Sequence, residues 1–227
     1  MLVALTNTKG GVGKSTLAAH LVIWLYDQGY RVALLDADQQ GTASAWIRAA
    51  EPEVTVVIAT EMELIRETRT SLLATHDIVI ADTPGKESEA ARTVTLLCDL
   101  AIVPLEPSKP DIRAIKDALK NVRLAQEISG SGRPEAILVL NLTAKLEVQT
   151  KMLRNQLQEA GFPVARSMVR RLNALRDSCD TSVTRMRPVE GGQAARDIDA
   201  LFVEILGDWL RQHKRSNPFS GKKAAND

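Results

Sequence analysis

Residues 5–21 read LTNTKGGVGKSTLAAHL. Gly10, Gly11, Val12 and Gly13 run into Lys14, Ser15 and Thr16, and a helical apolar pattern (Leu17, Leu21, Trp24, Leu25) follows. Glycines let successive backbone N–H groups turn toward one point, and a helix N-terminus adds partial positive charge there. The chemistry such a stretch can do is to hold phosphate. Lys14 is placed for the β and γ oxygens, the Ser15 hydroxyl for Mg2+ and Thr16 for the α-phosphate. The usual spacing, G-x-x-x-x-G-K-[ST], puts its first glycine at position 8, where this chain has Thr8. A second cation, Lys9, comes next.

Carboxylates stand at the ends of apolar runs. Asp36 and Asp38 follow Val32–Leu35, and their i, i+2 spacing puts both on one side of an extended chain. Asp82 ends another such run. In open α/β sheets ligands bind at these C-terminal strand ends, although Asp there also serves as an N-cap. Asn141 ends a further run, and its amide offers a donor and an acceptor to a base, or to a strand-end turn. Asp111, after PLEPSKP, either lines the same pocket or opens a helix.

The elements that must position these residues are legible as short apolar runs alternating with helical patterns. The runs are Leu2–Thr6, Arg31–Leu35, Val54–Ile58, Ile78–Ala81, Leu100–Val103 and Ala136–Leu140. Continuous rather than alternating hydrophobicity predicts strands buried on both faces, hence a parallel sheet. Helical spacing recurs at Ile112, Ile115, Leu119 and Val122, behind a start signal at Ser108–Asp111, and again at Ala195, Ile198, Phe202, Ile205 and Trp209. The expectation is one α/β domain over 1–213, a single doubly wound, mostly parallel sheet flanked by helices. A polar tail, 214–227, is expected to be flexible.

The 227 residues are 44% apolar and 25% charged, with a net charge of +1. That suits one globular domain and gives no overall pull toward a polyanion. Base is concentrated late: residues 166–227 hold 12 Lys and Arg against 8 Asp and Glu. Cys98 and Cys179 lack metal-ligand spacing, which fits a reducing cytoplasm. No apolar run approaches the roughly 20 residues of a membrane span.

KGGVGKST resembles the deviant phosphate-loop motif of the ParA/MinD group of ATPases. LLDAD (34–38), DIVIADTPG (77–85) and ILVLN (137–141) resemble that group's later motifs, in order. The resemblance covers roughly residues 1–210 and implies a P-loop NTPase fold with ATP and Mg2+ as cofactors. It implies that Lys9 crosses to the nucleotide of a second subunit in an ATP-bound homodimer. Asp38 is implied to orient the attacking water, Asp36 and Asp82 to support the metal, and Asn141 to face adenine; the division of labour between Asp36 and Asp38 is open. The group usually has proline after the second aspartate, where this chain has Gln39.

Short ParA-type proteins use a late basic region to bind DNA without reading its sequence. Here that region holds Arg166, Arg170, Arg171, Arg185 and Arg187, with Lys214, Arg215, Lys222 and Lys223 adding tail-like attraction. A solvated or salt-bridged arginine face is the alternative. The end of the chain lacks the apolar face a membrane-binding helix needs, so no membrane partner is expected. The resemblance thus implies a slow, partner-stimulated ATPase in the cytoplasm, associated with the nucleoid. It would position a plasmid, chromosome region or protein assembly through a ParB-like centromere-binding or cargo adaptor protein. The competing function is a metabolic ATP-dependent ligase of dethiobiotin-synthetase type on the same scaffold.

Overall fold

The computed structural model describes residues 1–107, 112–143 and 148–213. The start signal at Ser108–Asp111, the pocket role weighed for Asp111 and the tail 214–227 with its lysines and arginine lie outside the described residues.

Each apolar run forms a strand: β1 (Leu2–Leu5), β2 (Val32–Asp36), β3 (Thr55–Ile58), β4 (Ile78–Asp82), β5 (Leu100–Leu105) and β6 (Glu135–Leu140). Helices alternate with them: α1 (Lys14–Asp27), α2 (Thr42–Ala50), α3 (Met62–Thr75), α4 (Glu89–Leu97), α5 (Ile112–Ser129) and α6 (Val148–Glu159). Beyond these lie α7 (Asn173–Asp177), a 3-10 turn at Val183–Arg185 and α8 (Pro188–Gln212). All strand pairs are parallel and the order is β3-β2-β4-β1-β5-β6.

The period-2 geometry of a strand divides the core between two faces. Val3 and Leu5 of β1 join Leu34 and Ile80 in a cluster with α1, α2 and α8, where Phe202 and Leu206 are buried. Leu2 and Ala4 face the opposite cluster, with Leu35, Ala81, Ile65 of α3 and Val94 of α4. Cys98 is buried in that second cluster. Burial on both faces does not extend to β3. It is an edge strand, and Ile58 is 43% exposed. Hydrophobicity alone does not tell an edge from a centre, because an edge strand still needs one apolar face.

Past β6 the chain returns along its open edge. Leu138 and Thr143 bridge in parallel to Val164 and Arg170, and the Val169 N–H donates to the Leu140 carbonyl (3.0 Å). This irregular strip carries Arg166, Arg170 and Arg171. The sheet therefore brings the C-terminal ends of β1, β2, β4 and β6 to one edge, where Lys14, Asp38, Asp82 and Asn141 follow or close their strands.

Candidate functional site

The glycine-rich loop is anchored where it leaves β1. Asn7 is buried, and its side chain is used twice: Nδ2 donates to the Pro104 carbonyl (2.8 Å) and Oδ1 accepts from the Lys9 N–H (2.9 Å). At the far end of the loop, Gly13 has φ 89°, and a Cβ added there would sit 2.3 Å from Asn141 Nδ2. Asn141 Nδ2 donates to the Val12 carbonyl (2.7 Å), so this asparagine braces the loop from below. Val12 is buried, and the glycines beside it border the open site.

Lys14 is only 6% exposed, and its Nζ donates across the loop to the Lys9 carbonyl (3.4 Å). Burial pushes its pKa down, while Asp82 and Asp38 hold it up. Lys9 is half-buried, its N–H held by Asn7 and its carbonyl by Lys14. Ser15 and Thr16 follow on the first turn of α1 and border the same opening.

The two aspartates of β2 diverge. The strand ends at Asp36, so the extended geometry expected to point both carboxylates the same way stops there. Asp36 is fully buried. Its Oδ1 accepts from the Asp38 N–H (3.1 Å), and its Oδ2 from the Ser44 N–H (3.0 Å) and hydroxyl (2.6 Å). It ties β2 to α2. Asp38 borders the opening, and its Oδ1 accepts from the Gln40 N–H (3.0 Å). A bond from the Gly41 N–H to the Asp38 carbonyl (3.0 Å) also closes this turn. Both bonds come from residues 40 and 41, so Gln39 in place of proline leaves the turn intact.

Asp82 is the unsatisfied member of the group. It is fully buried, and among the described residues neither carboxylate oxygen has a hydrogen-bond partner. Burial pushes its pKa up to about 7. The Ser15 hydroxyl, outside good hydrogen-bonding geometry, opposes the shift; Asp36 adds to it, Lys14 opposes it and Asp38 adds to it. A buried carboxylate with both oxygens unpartnered beside a serine hydroxyl fits Mg2+. That ion keeps several waters and takes one or two protein oxygens together with phosphates. Ser15 and Asp82 would hold it, and it would supply charge neutralisation at the phosphates.

Lys14, Ser15 and Asp38 open into a cavity of about 840 Å3 bordered also by the rest of the phosphate loop, by Gln39, and by Lys86 and Ser88 of the β4–α4 loop. Gly85 lies against the phosphate loop: a Cβ there would be 2.9 Å from the Gly10 Cα. The sequence pattern missed Asn7, Gly85 and Lys86. A polar residue directly after an apolar strand was the available signal for Asn7, and the TPG turn after Asp82 for the other two.

The five candidate DNA-binding arginines all meet carboxylates. Arg166 pairs with Glu204, Arg170 with Asp197 (2.6 Å), Arg171 with Glu106 (2.6 Å), Arg185 with Asp27 (2.6 Å) and Glu51 (3.0 Å), and Arg187 with Glu190. They differ in exposure. The side chains of Arg166, Arg171 and Arg187 are 88%, 61% and 78% exposed, whereas those of Arg170 and Arg185 are 30% and 27% exposed and tie elements together.

Two further contacts dock the segment between α7 and the 3-10 turn onto the roots of the site. His20 of α1 is buried; its Nδ1 lies 2.9 Å from the Thr16 carbonyl, and its Nε2 accepts from the Val183 N–H (3.4 Å). Burial pushes its pKa down to about 4, so the ring is neutral with the proton on Nδ1. Trp46 of α2 donates from Nε1 to the Thr181 carbonyl (2.7 Å). No sequence pattern singled out either residue.

A profile of the CbiA family, described as the CobQ/CobB/MinD/ParA nucleotide binding domain, matches residues 3–182. The chain is 27% identical over 209 residues to maintenance of carboxysome distribution protein A of Halothiobacillus neapolitanus, covering 89% of this chain and 95% of that one. It is 30% identical over 181 residues to protein virC1 of Rhizobium rhizogenes, covering 73% and 74% of the two chains. Among solved structures, the ATP complex of a McdA variant from Cyanothece superposes with a TM-score of 0.70 at 10% identity, covering 90% of this chain and 95% of that one. That likeness shows the fold.

Proposed function

This chain belongs to the CobQ/CobB/MinD/ParA nucleotide-binding domain family, and from that premise we propose that it is an ATP-driven switch that positions a cargo. The observation that carries the reading is the buried, unpartnered Asp82 carboxylate near Ser15 and Lys14, two residues that line a cavity together with Asp38. Such a site is electrostatically complete only with a cation and phosphates in it. ATP with Mg2+ supplies both. Ser15 and Asp82 hold the metal, the loop N–H groups and Lys14 hold the phosphates, and Asp38 stands where an attacking water must be oriented.

Lys9 serves the nucleotide of a second copy, so that ATP completes a dimer. A cation brought in by the partner neutralises the terminal phosphate much as an arginine finger does in other NTPases. The dimer binds DNA without sequence preference through the exposed Arg166, Arg171 and Arg187, doubled across two copies. Hydrolysis, slow alone and stimulated by an adaptor protein, returns it to monomers. The cargo reading draws on the likeness to the carboxysome distribution protein, and DNA binding of this kind would hold the molecule on the nucleoid.

The test is the mass of the Asp38→Ala variant in solution. With ATP and Mg2+ it is expected at twice the protomer mass, because binding is retained and hydrolysis is lost. With ADP, or after the further change Lys9→Ala, it is expected at the protomer mass. A monomeric Asp38→Ala protein saturated with ATP and Mg2+ overturns the dimer reading.

A further inference from the structure

We infer that Lys86 is a further phosphate-contacting residue, one that reads the terminal phosphate and so separates ATP from ADP; the inference rests on the nucleotide-switch reading above. Lys86 lies four residues after Asp82 and borders the same cavity as Lys14, Ser15 and Asp38. The loop that carries it is pinned to the phosphate loop. A Cβ on Gly85 would meet the Gly10 Cα at 2.9 Å and Lys14 Nζ at 3.4 Å. On one side of Lys86, the Thr83 hydroxyl donates to the Leu5 carbonyl (2.8 Å). On the other, Ser88 Oγ accepts from the Ala91 N–H (3.2 Å) and caps α4. The backbone of Lys86 is therefore held beside the phosphate loop, while its side chain is exposed. Among the described residues it makes no ion pair or hydrogen bond, and its neighbour Glu87 is already paired with Arg92 (2.6 Å).

The sheet order decides which end of a nucleotide this lysine meets. β1, with the phosphate loop, has β4 on one side and β5 then β6 on the other. Asp82 closes β4, and a Mg2+ ion held by Asp82 and Ser15 would supply charge neutralisation toward the terminal phosphate, so the β4–α4 loop belongs to the γ end. Lys14 is buried and bonded to the loop, in place for either nucleotide. Lys86 remains in water until an anion reaches the outer part of the cavity, and ADP brings none there. Its ammonium, a compact charge on a flexible stem, suits that task. Glu89, on the same rim, repels a γ-phosphate unless a cation offsets it.

The test compares the full-length wild type with Lys86→Ala and Lys86→Arg, titrated with Mg2+ and either ADP or a non-hydrolysable ATP analogue. Lys86→Ala is expected to lose about tenfold in affinity for the triphosphate and less than about twofold for ADP, with Lys86→Arg restoring most of the difference. Unchanged affinities, or equal losses for both nucleotides, overturn the assignment while leaving the switch intact. A wild type that binds neither nucleotide overturns the switch reading and this assignment with it.

Discussion

Asp36 and Asp82 are register partners on the adjacent strands β2 and β4, both fully buried, and they meet opposite fates. Asp36 accepts three hydrogen bonds from its own turn and helix; Asp82 accepts none. Two carboxylates side by side in a parallel sheet are costly, and the fold satisfies only one. The other is left without a hydrogen-bond partner among the described residues, which is what the proposed metal role requires.

Asp82→Asn is expected to stabilise the ligand-free protein, because a neutral amide costs less to bury than an unpartnered carboxylate. The gain should be on the order of 1–3 kcal/mol near pH 8, above the pKa of about 7. If Asp82 holds the metal, Mg2+ and ADP together should raise the melting temperature of the wild type and not of this variant. A ligand-free variant less stable than wild type would show that the carboxylate is structural.

Gly13→Ala tests the brace under the phosphate loop. The added Cβ meets Asn141 Nδ2 at 2.3 Å, and φ 89° is strained for any L side chain. The expected cost is about 2–4 kcal/mol by urea unfolding. Adding Asn141→Ala relieves the clash but not the backbone strain, so the double variant should recover part of the loss. Costs that simply add would show that the two residues are not coupled.

The strands and the phosphate loop were legible because local pattern decides them. Five-residue apolar runs have little else to become between helices, and G-K-S-T can follow only a turn with inward N–H groups. What needed the fold was everything set by long-range pairing. That β3 is an edge depends on which strand lies beside β2. Asp36 and Asp38 looked equivalent by spacing, and only the turn after Asp36 separates them. The arginine-rich stretch read as a basic surface, but Glu106, Asp197 and Glu204, which neutralise parts of it, lie on other elements. Their charges cancel in space and not along the chain.

His20 gives the molecule an acid-sensitive joint. Its imidazole titrates near 6.5 when unfolded and at about 4 when folded. Between those values the unfolded chain binds the extra proton, so stability is fully present above about pH 6.5 and falls as pH drops toward 4. The loss should be roughly 3 kcal/mol at most. In urea titrations between pH 4.5 and 7.5, wild type should lose more stability than His20→Gln, which has no such proton to bind. Parallel pH profiles for the two proteins would mean that the buried ring does not govern the joint.

Arg170 and Arg171 are neighbours in sequence with different work to do. Arg170 meets Asp197, a carboxylate only 6% exposed, through two side-chain bonds of 2.9 and 2.6 Å. Removing it leaves the buried Asp197 with only the residue-170 N–H (3.2 Å) and Gln193 Nε2 (2.9 Å) and no counter-charge, so Arg170→Ala is expected to cost about 2–4 kcal/mol of stability. Arg171 is exposed, and its pairing with Glu106 is a surface contact worth less than about 1 kcal/mol. The variant Arg166→Ala/Arg171→Ala/Arg187→Ala, which removes the exposed cations without setting carboxylate against carboxylate, should therefore melt close to wild type. If the exposed arginines face DNA, it should also lose most DNA retention and flatten the salt dependence of what remains. DNA binding that persists in this variant but fails in a folded Arg170→Ala protein would move the contact surface to the buried pair. Loss in both, with only Arg170→Ala destabilised, separates holding the segment in place from touching the track.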